Sequence, residues 1–291
     1  MHKLSFGDRV FDFVNALIMI VLFVVMVFPF LHIINYSISD FTKVSGHFLL
    51  YPRGATLESY RAMFQNPNLL HSIFISVART VVGTSIMVFF TSMAGYVVSR
   101  DDMLGIKYIR KFFVFTMYFS VGLIPMYLLI QKLGLTGTFW VYVIPGAVGV
   151  FNMILIKTYV ESLPKELEDA AFIDGASDLY LFFRIIFPLS APVVAAISLF
   201  SAIGQWNSFV DTQFYNAMNP ELFPLSYVLY IALQSITSIE QFQLDQEAMR
   251  AVTPETLKMA MTVITVLPIM IVYPFLQKHF MKGMLIGSIK G

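Results

Sequence analysis

Apolar residues gather into six long runs along the chain, at about 13–36, 71–98, 112–131, 139–160, 190–210 and 257–277, with polar stretches between them. A helix rises about 1.5 Å per residue, so roughly 20 apolar residues cross a hydrocarbon core, and each run is long enough. Lipid leaves no backbone group unsatisfied, and the short alternating segments of a membrane barrel are missing, so the pattern predicts a helical bundle. The expected fold class is all-α, a polytopic membrane protein with six transmembrane helices. The first run is too long for a signal-peptide core and lacks a small-x-small cleavage site after it, so it reads as a retained span.

Orientation follows from the basic residues in the loops. With the N-terminus inside, twelve Lys and Arg fall on the inner side and six on the outer side, and Arg79 remains within a span. Both termini are therefore expected in the cytoplasm. The chain divides into an N-terminus (1–12), a membrane domain (13–277) with an inner loop at about 161–189, and a C-terminal tail (278–291). Two outer loops are long, about 37–70 and 211–256. The apolar stretch near 223–236 reads as a dip into the bilayer or a surface helix, because a full crossing there would move the basic tail outside.

Hydrophobic residues make up 57% of the chain and charged residues 13%, with mean hydropathy +0.74, which no soluble domain of this length would tolerate. A net charge of +1 without any basic stripe gives no footprint for nucleic acid. Cysteine is absent and the five histidines are scattered, so neither a metal cluster nor a thiol nucleophile is expected. No G-x-x-x-x-G-K-[ST] and no G-x-S-x-G occurs, so the chain should neither bind nucleotide nor catalyse a reaction. A proton- or sodium-driven carrier would need an acid or a broken-helix ion site within the spans, whereas the charge well inside them, Arg79, is basic.

The inner loop between the fourth and fifth runs holds "ELEDAAFIDGAS", Glu166 to Ser177. Ser162 and Pro164 predict a helix start, and Glu166, Glu168 and Asp169 suit the positive end of its dipole. Leu167, Ala170, Ala171 and Asp174 share one face, whose alanines allow close approach. Gly175 predicts the left-handed C-terminal cap. A second helix then starts at Ser177 or Asp178, with an apolar stripe of Leu179, Phe182, Phe183 and Ile186, until Pro188 and Pro192 redirect the chain. Two short capped helices make a docking element; a solvated connector and an acid/base pair are the competing readings.

The run "ELEDAAFIDGASDLYLFFRIIFPLSAPVV" resembles the EAA loop of permease subunits in ATP-binding-cassette importers, of the MalG-like carbohydrate-uptake group. Asp169, Ala170 and Ala171 match the triplet, with Asp where Glu is usual and Glu168 just before it. Gly175 matches the glycine, and Ile186, Phe187 and Pro188 match the ending. "AGYVVSR", "QWNSF" and "FLQKHFMKGMLIGSIKG" extend the likeness over nearly the whole chain, and within the group it is similar to the LplC/YtcP type. The resemblance implies an importer of oligosaccharides in a bacterial cytoplasmic membrane. It also implies a second, MalF-like permease, two cytoplasmic ATPase subunits that bind ATP and Mg, and an extracytoplasmic solute-binding protein. It assigns ATPase coupling to Glu168, Asp169, Ala170, Ala171, Asp174, Gly175 and Pro188, and has the tail reach the ATPase dimer. A permease for another solute, such as polyamine or phosphate, is the alternative within the class.

For the path itself, the polar residues inside the spans are candidates. Arg79 reads either as a contact to an anionic substrate or gate, uronate carboxylates included, or as a side chain snorkelling to the interface or pairing with the partner permease. Gln205, Trp206 and Asn207 offer amides for sugar hydroxyls and an indole for C–H faces, although Trp206 also suits an interfacial belt. Asn152 suits an interhelical hydrogen bond. Gly and Pro in "GLIP", "IPGAVG" and "VLPIM" mark kinks or close packing.

Overall fold

The computed structural model describes residues 6–44, 48–119, 121–234 and 252–288, with backbone alone over 275–288. All regular elements among the described residues are helical. Among the described residues, three helices are long and apolar enough to cross a membrane: α1 (Phe6–Ser37), α3 (Pro67–Ser99), and the part Pro254–Pro274 of the last helix. Between α1 and α3 lies α2 (Glu58–Phe64).

Three further pairs pass the same test only when their halves are joined, each bent by more than 40°. They are α4 (Ile106–Tyr118) with α5 (Leu123–Lys132), the 3-10 turns of Phe139–Gly146 with α6 (Val150–Glu161), and Asp178–Leu189 with α10 (Ala191–Asn207). The runs 112–131 and 139–160, expected as single spans, are thus broken. Gly122 sits at φ 82° ahead of Pro125, Pro145 stands in the first part of the second 3-10 turn, and Gly149 immediately precedes α6. The amide freed at the second break is not orphaned, because Gly149 N donates to Thr91 Oγ1 of α3 at 3.1 Å.

Other boundaries also move. The first helix starts at Phe6 rather than 13, and α10 ends at Asn207 rather than 210. The apolar stretch near 223–236 holds α11 (Leu225–Gln234), whose ten residues rise about 15 Å, half of a crossing. Residues 235–251 lie outside those described. The last helix, α12 (Pro254–Ser288), carries Pro268 and Pro274 and continues past 278, so the tail begins as helix instead of a loose end.

The chain separates into two units, residues 1–69 with 231–267 and residues 70–230 with 268–291. In the first, the segment after α1 folds back on that helix: Leu49 N donates to His32 Nδ1 at 3.1 Å, and Ser37 Oγ meets Tyr60 OH at 2.6 Å. Among the described residues, the second unit shows two buried clusters. One joins Tyr96, Ile156, Val160, Ala171, Leu181, Phe182, Ile186 and Ile197, and the other Ile75, Ile130, Val141, Tyr142 and Val143.

Candidate functional site

The acidic tract forms α7 (Glu166–Ile173), then α8 (Asp178–Leu181), a π turn (Phe182–Ile186) and α9 (Phe187–Leu189). Ser162 does not start α7; it closes α6 instead, its hydroxyl donating to Tyr159 O at 2.6 Å, and α7 begins at Glu166, after Pro164. Its C-terminus is a Schellman motif: Gly175 N donates to Phe172 O at 3.0 Å and Ala176 N to Ala171 O at 2.9 Å, with Gly175 at φ 79°. Ser177 caps α8 by accepting from Tyr180 N.

The two faces of α7 and the stripe beyond it differ from the pattern expected of the sequence. Ala171 packs into the chain's own core with Leu181, Phe182 and Ile186, while Ala170, Asp169 and Asp174 are exposed and Ile173 is 86% exposed. Leu179 and Phe183, assigned to the inward stripe, are exposed and Leu181 takes their place. The π turn supplies the reason, since its Phe187 N to Phe182 O bond inserts one extra residue and shifts the helix register there. Pro188 is exposed within α9, and the chain turns sharply after it, by 79°, into α10 with Pro192 in the first turn.

What fastens this helix pair is Arg100, at the end of α3, a residue absent from the candidates. Its guanidinium lies 3.7 Å from Glu168 and 3.3 Å from Asp178, donates to Tyr96 OH at 3.1 Å, pairs with Asp102, and covers the Phe172 ring at 5.1 Å. Its pKa is raised, first by the hydrogen bond to Asp102. Burial is the main influence on Glu168 and raises its carboxyl, with Arg100 opposing. Beside it, Arg110 caps α3 by donating to Val98 O, Ser99 O and Arg100 O, and pairs with Asp101 at 2.9 Å. The signal was present in "VVSRDD", a basic residue leaving a span directly before two acids.

Arg79 neither snorkels nor waits for a partner subunit. Its side chain is 1% exposed and its acid lies in this chain, Asp211, at 2.5 Å. Nε and Nη2 donate to Gln205 Oε1, Nη1 to Ser208 O and Asp211 Oδ1, and Nη2 to Asp211 Oδ2. Tyr142 lies 4.3 Å from the guanidinium carbon. Gln205 in turn donates to Tyr142 O at 3.0 Å and packs so closely on Gly83 that a Cβ there would meet its amide nitrogen at 2.7 Å. An acid therefore does accompany the basic residue. It stood one position beyond the run ending at 210, which is why counting charges within the runs missed it.

Trp206 lines a different cavity from the one beside Arg79. It is 8% exposed and lines a wholly apolar cavity of about 340 Å³ with Val77, Ile203 and Pro268, so it does not sit as an open interfacial side chain. Asn207 is exposed at the end of α10. Asn152 reaches Met87 Sδ of α3 at 3.8 Å, a contact between helices. The structure thus brings Arg79 and Gln205 together, places Asn152 against Met87, and leaves Asn207 exposed.

Broken apolar helices around a polar network, with a capped helix pair held at one end, are the architecture of a helical membrane transport protein. The chain belongs to the family of binding-protein-dependent transport system inner membrane components, whose model matches residues 107–286. It is a transport subunit and not a catalytic one. Among its relatives, Protein LplC of Bacillus subtilis (strain 168) is 40% identical over 296 residues, covering 100% of this chain and 98% of that protein. The polygalacturonan/rhamnogalacturonan transport system permease protein YtcP of the same organism is 36% identical, covering 98% and 99%. In a crystal structure of a bacterial ABC transporter involved in the import of the acidic polysaccharide alginate, one chain matches with TM-score 0.87 and 29% identity, over 96% of this chain and 100% of that one.

Proposed function

We propose that the chain is one permease subunit of an ATP-driven oligosaccharide importer in the bacterial cytoplasmic membrane, with six spans and both termini inside. It forms half of the path beside a second permease. A solute-binding protein delivers the sugar on the outside, and two ATPase subunits carry ATP and Mg. The substrate class rests on the names of relatives, which include polygalacturonan/rhamnogalacturonan, arabinooligosaccharide and galactooligosaccharide permeases.

The observation that carries the coupling role is the division of α7 into two faces. Ala171 and Phe172 tie it to the chain's own packing and to Arg100, while Asp169, Ala170, Ile173 and Asp174 stand exposed. A capped helix with one face anchored and the other free transmits a push from the ATPase to α3, α6 and α10, where a loose loop would absorb it. Acidic oligosaccharides are favoured as the cargo by two of the similar proteins, which are described with galacturonan and alginate.

The test is to express the chain with its candidate partner subunits, measure which ones copurify, and follow ATP hydrolysis in lipid with loaded binding protein. Stimulated hydrolysis supports the importer; a stable chain with no ATPase and no second permease sinks it. Asp169→Lys should reduce ATPase copurification severalfold without changing chain yield, since that carboxylate is exposed. Unchanged recovery would move the contact to packing around Ala170 and Ile173.

A further inference from the structure

Beside Arg79 lies a pocket of about 360 Å³, at the small end of ligand sites, with Met126, Ser201, Gly204, Asp211 and Tyr215 among its walls. Both members of the Arg79–Asp211 pair border it, but unequally: the Arg79 side chain is 1% exposed and that of Asp211 is 22% exposed. A guanidinium has five N–H donors, and the five bonds to Gln205, Ser208 and Asp211 occupy them all. Without a free donor it cannot grip a substrate carboxylate in the two-pronged manner that makes arginine selective for one.

Asp211 is placed the other way. Its oxygens accept from Arg79 and from Thr212 N, yet a carboxylate has about four acceptor positions, so this partly exposed pocket residue keeps acceptor capacity. An exposed carboxylate draws hydroxyl donors and repels a second carboxylate. The Tyr215 ring, stacked on Tyr127 at 5.8 Å and 10°, adds a rigid aromatic wall, and Ser201 adds a hydroxyl.

We infer that this pocket is a subsite for an uncharged, hydroxyl-bearing sugar unit, with Asp211 accepting a hydroxyl and Arg79 a positioning residue that holds Asp211 and Gln205. This rests on the proposed carbohydrate function and narrows it. If the cargo carries uronates, their carboxylates are met elsewhere in the importer and a hydroxyl face is presented here.

The experiment uses the reconstituted importer, with saturating loaded binding protein, and compares a galactose trisaccharide with its galacturonate counterpart. Gly204 has nothing within 4 Å of where a Cβ would stand, so Gly204→Val narrows the pocket with a Cβ that meets neither Arg79 nor Asp211. Uptake per ATP should fall about tenfold for both sugars with hydrolysis within about twofold of wild type, a split that general damage does not produce. Unchanged uptake per ATP overturns the subsite. In Arg79→Gln with Asp211→Asn, both charges go while amides replace them. The galacturonate-to-galactose uptake ratio should then rise about threefold or more, because the repelling carboxylate is gone. A fall in that ratio makes Arg79 the carboxylate reader, and an unchanged ratio removes Asp211 from the site; either overturns the inference. If the double variant does not assemble, Gly204→Val decides alone. A wild-type complex that imports no saccharide at all sinks the carbohydrate reading and the subsite with it, whereas the variant outcomes bear on the subsite only.

Discussion

Arg79 lies in the middle of α3 and Arg100 just beyond its end, 21 residues on, or about 32 Å along the axis. Both gather acids, amides or hydroxyls, and an aromatic face from distant parts of the second unit. Arg79 is closed off: one acid, one glutamine and one carbonyl take every donor, and its side chain sees almost no solvent. Arg100 shares itself among Asp102, Glu168 and Asp178, whose side chains are 65%, 25% and 72% exposed. Water can replace any of those partners, so the second cluster can rearrange at small cost while the first cannot. The middle of α3 holds a fixed clamp and the end of the same helix an adjustable one, which is where the proposed coupling role would need movement.

The largest effect should come from breaking the fixed clamp on one side. Arg79→Gln leaves the Asp211 carboxylate without its cation. Removing one partner of a buried pair costs about 3–5 kcal/mol, and the partial exposure of Asp211 puts this site at the lower end. The yield of assembled complex and its thermal midpoint in detergent should both drop clearly, and adding Asp211→Asn should recover most of the loss. A single variant as stable as wild type would mean that the pair holds nothing together.

Next comes the cap of α7. Gly175 stands at φ 79° with nothing near its would-be Cβ, so a side chain there meets no clash and suffers only through the backbone. A left-handed L-residue costs about 1–2 kcal/mol, and a β-branched one lies at the upper end. Gly175→Val should open the Schellman turn and misdirect α8, leaving insertion and ATP hydrolysis intact while uptake per ATP falls about tenfold. Coupled transport at the wild-type level would separate this loop from the power stroke.

These contrasts explain what could be read from the residues alone. Hydropathy located the apolar helices and the acidic tract, because burial and helix caps are written locally: Gly175 and Ser177 do what their neighbours require. Breaks were legible only as Gly and Pro positions, since whether Gly149 kinks or ends a helix depends on Thr91, 58 residues away, accepting its amide. Asp211 was hidden by a window that stopped at 210. Arg100 was visible as a residue but not as a hub, because Glu168 and Phe172 reach it only through the packing of Ala171 on the core. The π turn had no sequence signal at all, and its extra residue shifts the helix register directly after Leu181, which is buried where Leu179 is exposed.

The smallest effects belong to the adjustable clamp. Glu168→Gln removes an ion pair of 3.7 Å at a partly exposed site, where such pairs contribute about 0.2–1 kcal/mol, and it relieves the cost that burial imposes on the carboxylate. Stability should barely change. Arg100→Ala removes three acids' shared partner together with the cover over Phe172, so it should lower uptake per ATP severalfold at nearly constant thermal midpoint. Arg100→Lys keeps the charge but loses the fork that reaches Tyr96 and Asp102 together, and should fall between the two. If Arg100→Ala instead destabilised the complex as much as Arg79→Gln, the two clusters would be the same kind of structure. Coupling would then have to pass through the buried contacts of Ala171, Leu181 and Ile186 without any help from charge.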